Sequence, residues 1–330
     1  MGSRSRTAAD RDDIMATSPP ADPNPSLGIG LKCMSVVVFV AMQTLIKTVG
    51  EDIPAGEVVF FRSFFALIPV ILYLAWLGDL KQSLKTDDLP GHMLRGLVGA
   101  ISMTLSFFSL PRLPYAEWIS INYAAPLLTV VFAAIFLKEI VRAYRWTAVV
   151  IGLVGVSVVT APNLSLFSTG GLGGSEALGA LAALGSASLA AVAMIQIRRL
   201  VRKEKTATIV VYFSLTSSLI ALLSLPFGWV LPSTEDALIL VTAGLFGGIG
   251  QLLLTASYRY ADTSTIAPFE YTSLILAIAI GVFLFGDPVA WTTIVGSLIV
   301  VSAGIFIIWR EHQLGLERRK ARRVAPPGGG

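Results

Sequence analysis

Eight polar or charged side chains fall inside stretches otherwise built of valine, leucine, isoleucine, phenylalanine and alanine: Gln43, Arg62, Glu117, Asn122, Tyr123, Gln251, Glu270 and Tyr271. Arg62 stands in EVVFFRSFFALIP (57–69). A charge in such a run costs a few kcal/mol in hydrocarbon, so it must face protein or water. A guanidinium stays protonated and offers a planar fork of donors, which suits an anionic or carbonyl-rich group on a small molecule. The other readings are a structural ion pair, with Glu117 for instance, or snorkelling to the surface. Glu117 and Glu270 are carboxylates that can take up and release protons, bind an amine, or satisfy a neighbouring arginine. Tyr123 and Tyr271 directly follow Asn122 and Glu270. Two such rings can stack on a flat heterocycle or a cation, or simply hold a helix contact with their hydroxyls bonded across. Gln43, Asn122 and Gln251 add neutral donors and acceptors.

These residues need elements to carry them, and hydropathy supplies the candidates. The chain is 54% hydrophobic and 14% charged, against about 25% charged in soluble domains. Its mean hydropathy is +0.74. A window of about 19 residues matches a helix crossing ~30 Å of hydrocarbon. It predicts ten spans, at 28–48, 55–77, 92–110, 114–137, 144–161, 176–197, 207–230, 236–257, 264–285 and 290–309. The fold class is therefore all-α integral membrane, with the lipid bilayer as solvent. Pro126 and Pro268 interrupt the backbone ladder of spans 4 and 9, allowing a kink or simply shaping the packing. GLFGGIG (244–250) and the two GLVG runs (96–99, 152–155) mark close helix contacts.

Charge sets the expected orientation. If residues 1–27 are a disordered cytoplasmic tail, 22 of the 25 lysines and arginines fall on the inner side and only Lys47 and Arg112 on the outer. Arg62 is the remaining one. The positive-inside rule then puts both termini in the cytoplasm, with 311–330 a second basic tail. This asymmetry accounts for a pI near 9.2 without invoking nucleic acid. No cleaved signal peptide or myristoylation site is read at the N-terminus, and Met15 is an alternative start. The single cysteine, Cys33, excludes an internal disulfide framework and reads as a small buried hydrophobe.

The chain also repeats. EVVFFRSF (57–64) aligns with TIVVYFSL (208–215), and LPRLPYAEWISINYAAPLL (110–128) with SYRYADTSTIAPFEYTSLI (257–275). Lys138–Glu139 and Gly286–Asp287 close the two later helices alike. Five spans per copy is an odd number, so the second copy enters the membrane upside down. Two inverted five-helix repeats, 28–162 and 175–310, are a transporter architecture, with solute held near the midplane between the halves.

On these residues the sequence resembles the drug/metabolite transporter superfamily, in its EamA family of ten-helix carriers. The resemblance is carried by FFRSFFALIP, by LRGLVGA, by LPYAEWISINYAAPLLTVVFAAIFLKEI and by GLFGGIGQLLLTASYRYADTSTIAPFEYTSLILA. It covers roughly residues 28 to 310. The blocks of spans 4 and 9 are further similar to bacterial riboflavin and S-adenosylmethionine uptake carriers. One departure is Asp287, where such carriers commonly have glutamate. The resemblance implies a secondary transporter in a bacterial inner membrane, working by alternating access on a small polar or heterocyclic metabolite. Export by the same fold is the alternative, and proton coupling is one use of the buried glutamates.

An enzyme needs a recognisable cluster, and the sequence shows no HExxH, GxSxG or Walker pattern. Its two histidines, His92 and His312, are far apart. DDLPGH (87–92) reads as a solvated turn. No cofactor is expected. A scaffold or sensor remains open, although no soluble output domain accompanies the spans. Substrate identity and oligomeric state are not legible.

Overall fold

Asn24 opens the first helix by accepting a hydrogen bond from the Leu27 N–H at 3.1 Å, with Pro25 in the first turn, where its missing donor costs nothing. The computed structural model describes residues 24–78, 80–136, 138, 141–170, 174–200, 204–261 and 266–324. The tail to residue 23, the last six residues and Glu139 lie outside them. The principal helices are α1 (Pro25–Val49), α2 (Ala55–Trp76), α3 (Leu89–Ser109), α4 (Tyr115–Asn122), α5 (Ala124–Phe136), α6 (Ala143–Gly170), α7 (Ser175–Leu200), α8 (Thr206–Leu222), α9 (Thr234–Tyr260), α10 (Thr272–Ile280) and α11 (Trp291–Val324). No strand occurs among the described residues. Asp88 and Ser233 cap α3 and α9 as Asn24 caps α1, each accepting from a backbone N–H three residues on.

Seven helical segments are long and apolar enough to cross a membrane, and Ala207–Leu222 and Phe269–Phe285 are apolar but shorter. Between 33% and 50% of each long segment's apolar window is buried. Large apolar side chains, among them Trp76, Phe227, Leu231 and Phe283, face outward, as a lipid surround would favour. Three expected boundaries shift, each for a local reason. The span drawn to 230 ends at Leu222, because Pro226 turns the chain into a 3-10 segment at Leu225–Phe227. The tail expected from 311 continues α11 to Val324, since QLGLERRKARR contains good helix formers and the prolines come only at 326 and 327. The helix expected to end at 161 runs on to Gly170, carrying Pro162 within it.

Spans 4 and 9 are both broken. Pro126 cannot donate to the Asn122 carbonyl, and the helix is interrupted at Tyr123, between α4 and α5. Span 9 begins as a 3-10 turn at Ala267–Tyr271, becomes α10, and ends as a π turn at Gly281–Phe285. Gly286 then takes a left-handed conformation (φ 64°), which favours glycine.

The helices pack in an exchanged pattern. α1 packs on α9 as α3 does on α7, α2 on α9 as α3 on α8, and α10 on α1 as α5 on α7. The pairs α2–α8, α4–α10 and α6–α11 also form. Among these named pairs, adding five to each expected span number maps one pair onto another or onto itself. Small residues permit the closest approaches. A Cβ on Gly248 would lie 2.5 Å from the Ala66 carbonyl oxygen, and one on Gly155 2.8 Å from that of Gly296. The main core lies where α1, α4, α7 and α10 meet, around Val40, Ile46, Tyr115, Ile121 and Ala187.

Candidate functional site

Arg62 points from α2 into a small cavity between α2, α8 and α9. Ala66, Val70, Val210, Phe213, Ser214, Gly247, Gly248 and Gln251 complete its lining. Arg62 is 9% exposed, and its Nε has no hydrogen-bond partner. No carboxylate of the described residues lies within ion-pair distance, so neither the pairing with Glu117 nor the snorkelling alternative is formed. The cavity has a second cation at its edge. Arg95, counted from sequence as a basic residue of the second loop, lies two turns inside α3 and lays its guanidinium over Phe213 at 4.1 Å. Its Nε and Nη1 are also buried without partners.

The other cations of the interior are paired. Lys32, 2% exposed on α1, forms an ion pair and hydrogen bond with Glu270 in the 3-10 turn of span 9. Glu270 is half exposed (54%), whereas Lys32 is buried. Both predicted tyrosines are beside Glu270. Tyr123 and Ser273 share a hydroxyl–hydroxyl bond of 2.5 Å, and the Tyr123 hydroxyl also donates to the Glu270 carbonyl at 3.3 Å. The Tyr123 and Tyr271 rings meet edge to face at 5.0 Å. The Tyr271 hydroxyl rests against Gly304 of α11, where a Cβ would overlap it.

At the far end of α1 the same two spans are joined again. Lys47 faces Asp287 at 3.7 Å and donates to the Leu113 carbonyl at 2.6 Å. Asp287 accepts from the Tyr115 N–H at 2.8 Å, capping α4 from the other half of the chain. Lys32 and Lys47 are 15 residues apart, about 22 Å along the helix at 1.5 Å per residue. Gln43 lies between them and accepts from the Tyr115 hydroxyl at 3.0 Å.

Two predicted residues lie apart from both clusters. Glu117, 5% exposed, accepts from Thr293 of α11 at 3.1 Å, beside a Ser120–Ser297 hydroxyl pair at 2.6 Å. Asn122 donates to the Trp118 carbonyl of its own helix at 2.8 Å. The eight residues therefore divide. Arg62 and Gln251 share one cavity, Glu270, Tyr123 and Tyr271 form a second cluster, Gln43 and Glu117 bond to neighbouring helices, and Asn122 bonds within its own helix.

The EamA-like transporter family matches the chain twice, over residues 26–161 and 177–310. The chain belongs to that family. It is a small-molecule transporter rather than an enzyme, and a multi-pass membrane protein. An S-adenosylmethionine uptake transporter of Rickettsia bellii is 27% identical to it over 292 residues, spanning 87% of this chain and 95% of that protein. The pseudopaline exporter CntI of Pseudomonas aeruginosa is 27% identical over 280 residues, 84% of this chain and 94% of the exporter. A protein of known crystal structure superposes with a TM-score of 0.61 at 19% identity, covering 86% of this chain and 97% of that one, and shows the shared fold.

Sequence reasoning missed Lys32, Arg95 and Lys47 in this EamA-family transporter. Each was assigned to a membrane face, although Lys32, Lys47 and Arg95 all stood inside predicted spans. That position was the available signal.

A further polar contact ties the two halves together between α3 and α8. Glu204 Oε1 accepts from Thr86 Oγ1 at 2.6 Å and from the Asp87 N–H at 3.0 Å, with His92 Nε2 3.7 Å away. His92 stacks on Tyr212 at 4.8 Å, and the Tyr212 hydroxyl donates to the Leu84 carbonyl at 2.9 Å. Burial alone raises the Glu204 pKa; the hydrogen bonds and His92 outweigh it and hold the carboxyl below its ordinary 4.5. A depressed carboxylate stabilises the fold above its unfolded pKa and loses that contribution as pH falls through the folded one. Protection factors at residues 84–88, referred to the intrinsic exchange rate at each pH, are therefore expected to fall on acidification below 4.5. Glu204→Gln should show fast exchange already at neutral pH and no further acid step.

Proposed function

We propose that this transporter is a ten-span secondary carrier built from inverted repeats at 28–162 and 175–310, with both termini cytoplasmic in a bacterial inner membrane. It works by alternating access. The observation that carries this reading is the pairing of α1 with span 9 at both ends, Lys32–Glu270 and Lys47–Asp287, about 22 Å apart. A carrier needs one closure on each side of its solute, opened in turn, and ion pairs across a broken helix can open without unfolding either partner. The exchanged packing of the helices supports the repeat, and the breaks in spans 4 and 9 supply the irregular backbone that such sites use.

The solute is a small polar or heterocyclic metabolite, S-adenosylmethionine-like, riboflavin-like or amino-acid-like. Tyr123 and Tyr271 offer edge and face to a ring or cation, and Glu270 serves as the proton-exchanging group. Export is the second reading, supported by equal identity to an uptake transporter and to an exporter.

Counterflow tests the proposal. Proteoliposomes preloaded with unlabelled S-adenosylmethionine, methionine or riboflavin should concentrate the matching labelled solute for at least one of the three. In a Cys33→Ser background, Glu270→Gln should raise labelling of a cysteine at Ser273 by an impermeant maleimide. Asp287→Asn should lower it. No counterflow with any of the three, together with labelling unmoved by either change, would sink the carrier reading.

A further inference from the structure

Lys32, Lys47 and Arg112 each have a carboxylate partner. Arg62 and Arg95 have none among the described residues, and neither donates a hydrogen bond there. Arg62 lines the cavity, and Arg95 stacks on Phe213 of the same lining. Withdrawing a single ion from water costs several kcal/mol when nothing neutralises it, and two like charges compound the cost. The walls are also cut back around them. A Cβ on Gly247 would stand 3.2 Å from Arg62 Nε, and one on Gly99 would stand 2.6 Å from Phe213 Cε2 and overlap Arg95 Nη1. Gln251 adds a neutral amide on the same lining. The cavity is about 10 Å³, room for one water-sized group.

We propose that this pocket receives the anionic oxygen group of the transported solute, a carboxylate or a phosphate, between Arg62 and Arg95. The pocket opens and closes with the transport cycle. Guanidinium forks match both oxyanions in geometry and stay charged throughout. The two arginines neutralise the group, and Gln251 supplies a further donor. The solute is therefore anionic at one end, whatever its other end contributes at the tyrosines. This inference rests on the carrier reading for the word solute, but not for the existence of the anion site.

The test uses the purified full-length protein in detergent, with melting temperature read against acetate, phosphate and chloride at matched ionic strength. Acetate or phosphate is expected to raise the wild-type value saturably by about 2 °C or more, and chloride is not. Whichever oxyanion acts identifies the group. Arg62→Gln and Arg95→Gln should each abolish the shift, yet melt no lower than wild type without ligand, because each removes an unneutralised charge. An arginine that only packs would lower that baseline, which would overturn the proposal. So would no shift with either oxyanion, an equal shift with chloride, or a shift that survives in the double variant. Counterflow separates the two readings. Wild-type rates in the double variant would discard the anion pocket and keep the carrier. An intact oxyanion shift in a protein without counterflow, and with labelling at Ser273 unmoved, would keep the pocket and discard the carrier.

Discussion

Glu270→Gln lowers the melting temperature of the purified protein by roughly 5–10 °C, and Lys32→Met lowers it several-fold less. The asymmetry follows from exposure. Lys32 is 2% exposed and Glu270 54%, so removing the carboxylate strands a buried ammonium, while removing the lysine leaves a carboxylate that water already reaches. Breaking a buried pair from one side costs about 3–5 kcal/mol, and the half-exposed partner reduces this to about 2–3. At about 2–4 °C per kcal/mol for a domain of 150–250 residues, that is the stated drop. The Lys32→Met/Glu270→Gln double variant should recover most of the loss, giving a coupling energy of about 2–3 kcal/mol in a double-mutant cycle. Transport should not recover with it. If Glu270 exchanges protons during the cycle, every variant lacking its carboxyl group stays at least roughly 10-fold slow, folded or not. A double variant that transports at the wild-type rate would reduce the pair to a structural tie.

Arg62→Ala is expected to cut counterflow roughly 100-fold with little loss of folded protein. Hydrogen bonds to charged groups contribute about 1.5–3 kcal/mol each, and each 1.4 kcal/mol is tenfold, so losing one strong interaction at the pocket suffices for that fall. Folding is spared because Arg62 makes no internal bond that the alanine would break. Arg62→Lys should stay at least tenfold impaired. An ammonium keeps the charge but not the planar fork, and it would have to reach past Ala66 and Gly247 on a different stem. Measured initial rates in proteoliposomes for the three proteins, normalised to inserted carrier, check the order wild type, lysine, alanine. Equal rates for wild type and alanine would place Arg62 outside the transport path.

Much of the architecture was open to a reader of the sequence. Each hydrophobic run is a local property, and length and apolarity suffice to say where a helix lies in lipid. Proline acts locally too, which is why the breaks at Tyr123 and in the 267–271 turn could be expected from Pro126 and Pro268. Small-residue runs such as 244–250 and 152–155 proved to be close helix contacts, because a missing Cβ matters wherever a neighbour approaches. The boundary errors came from the same locality. A hydropathy window cannot see a helix that continues into polar residues, as α11 does to Val324.

Partner choice could not be read in this way. Glu270 and Arg62 stood out as charges in apolar runs, yet nothing along the chain says that Glu270 meets Lys32, 238 positions away, while Arg62 meets no acid among the described residues. Arg95 looked like one more positive-inside residue, and the partner of Glu117 was open, until the packing turned one onto Phe213 and brought the other to Thr293. Hydrophobicity and backbone chemistry are summed residue by residue and so survive in one dimension. Electrostatic pairing depends on distances of a few ångströms between helices remote in the chain, and those distances exist only once the helices have packed.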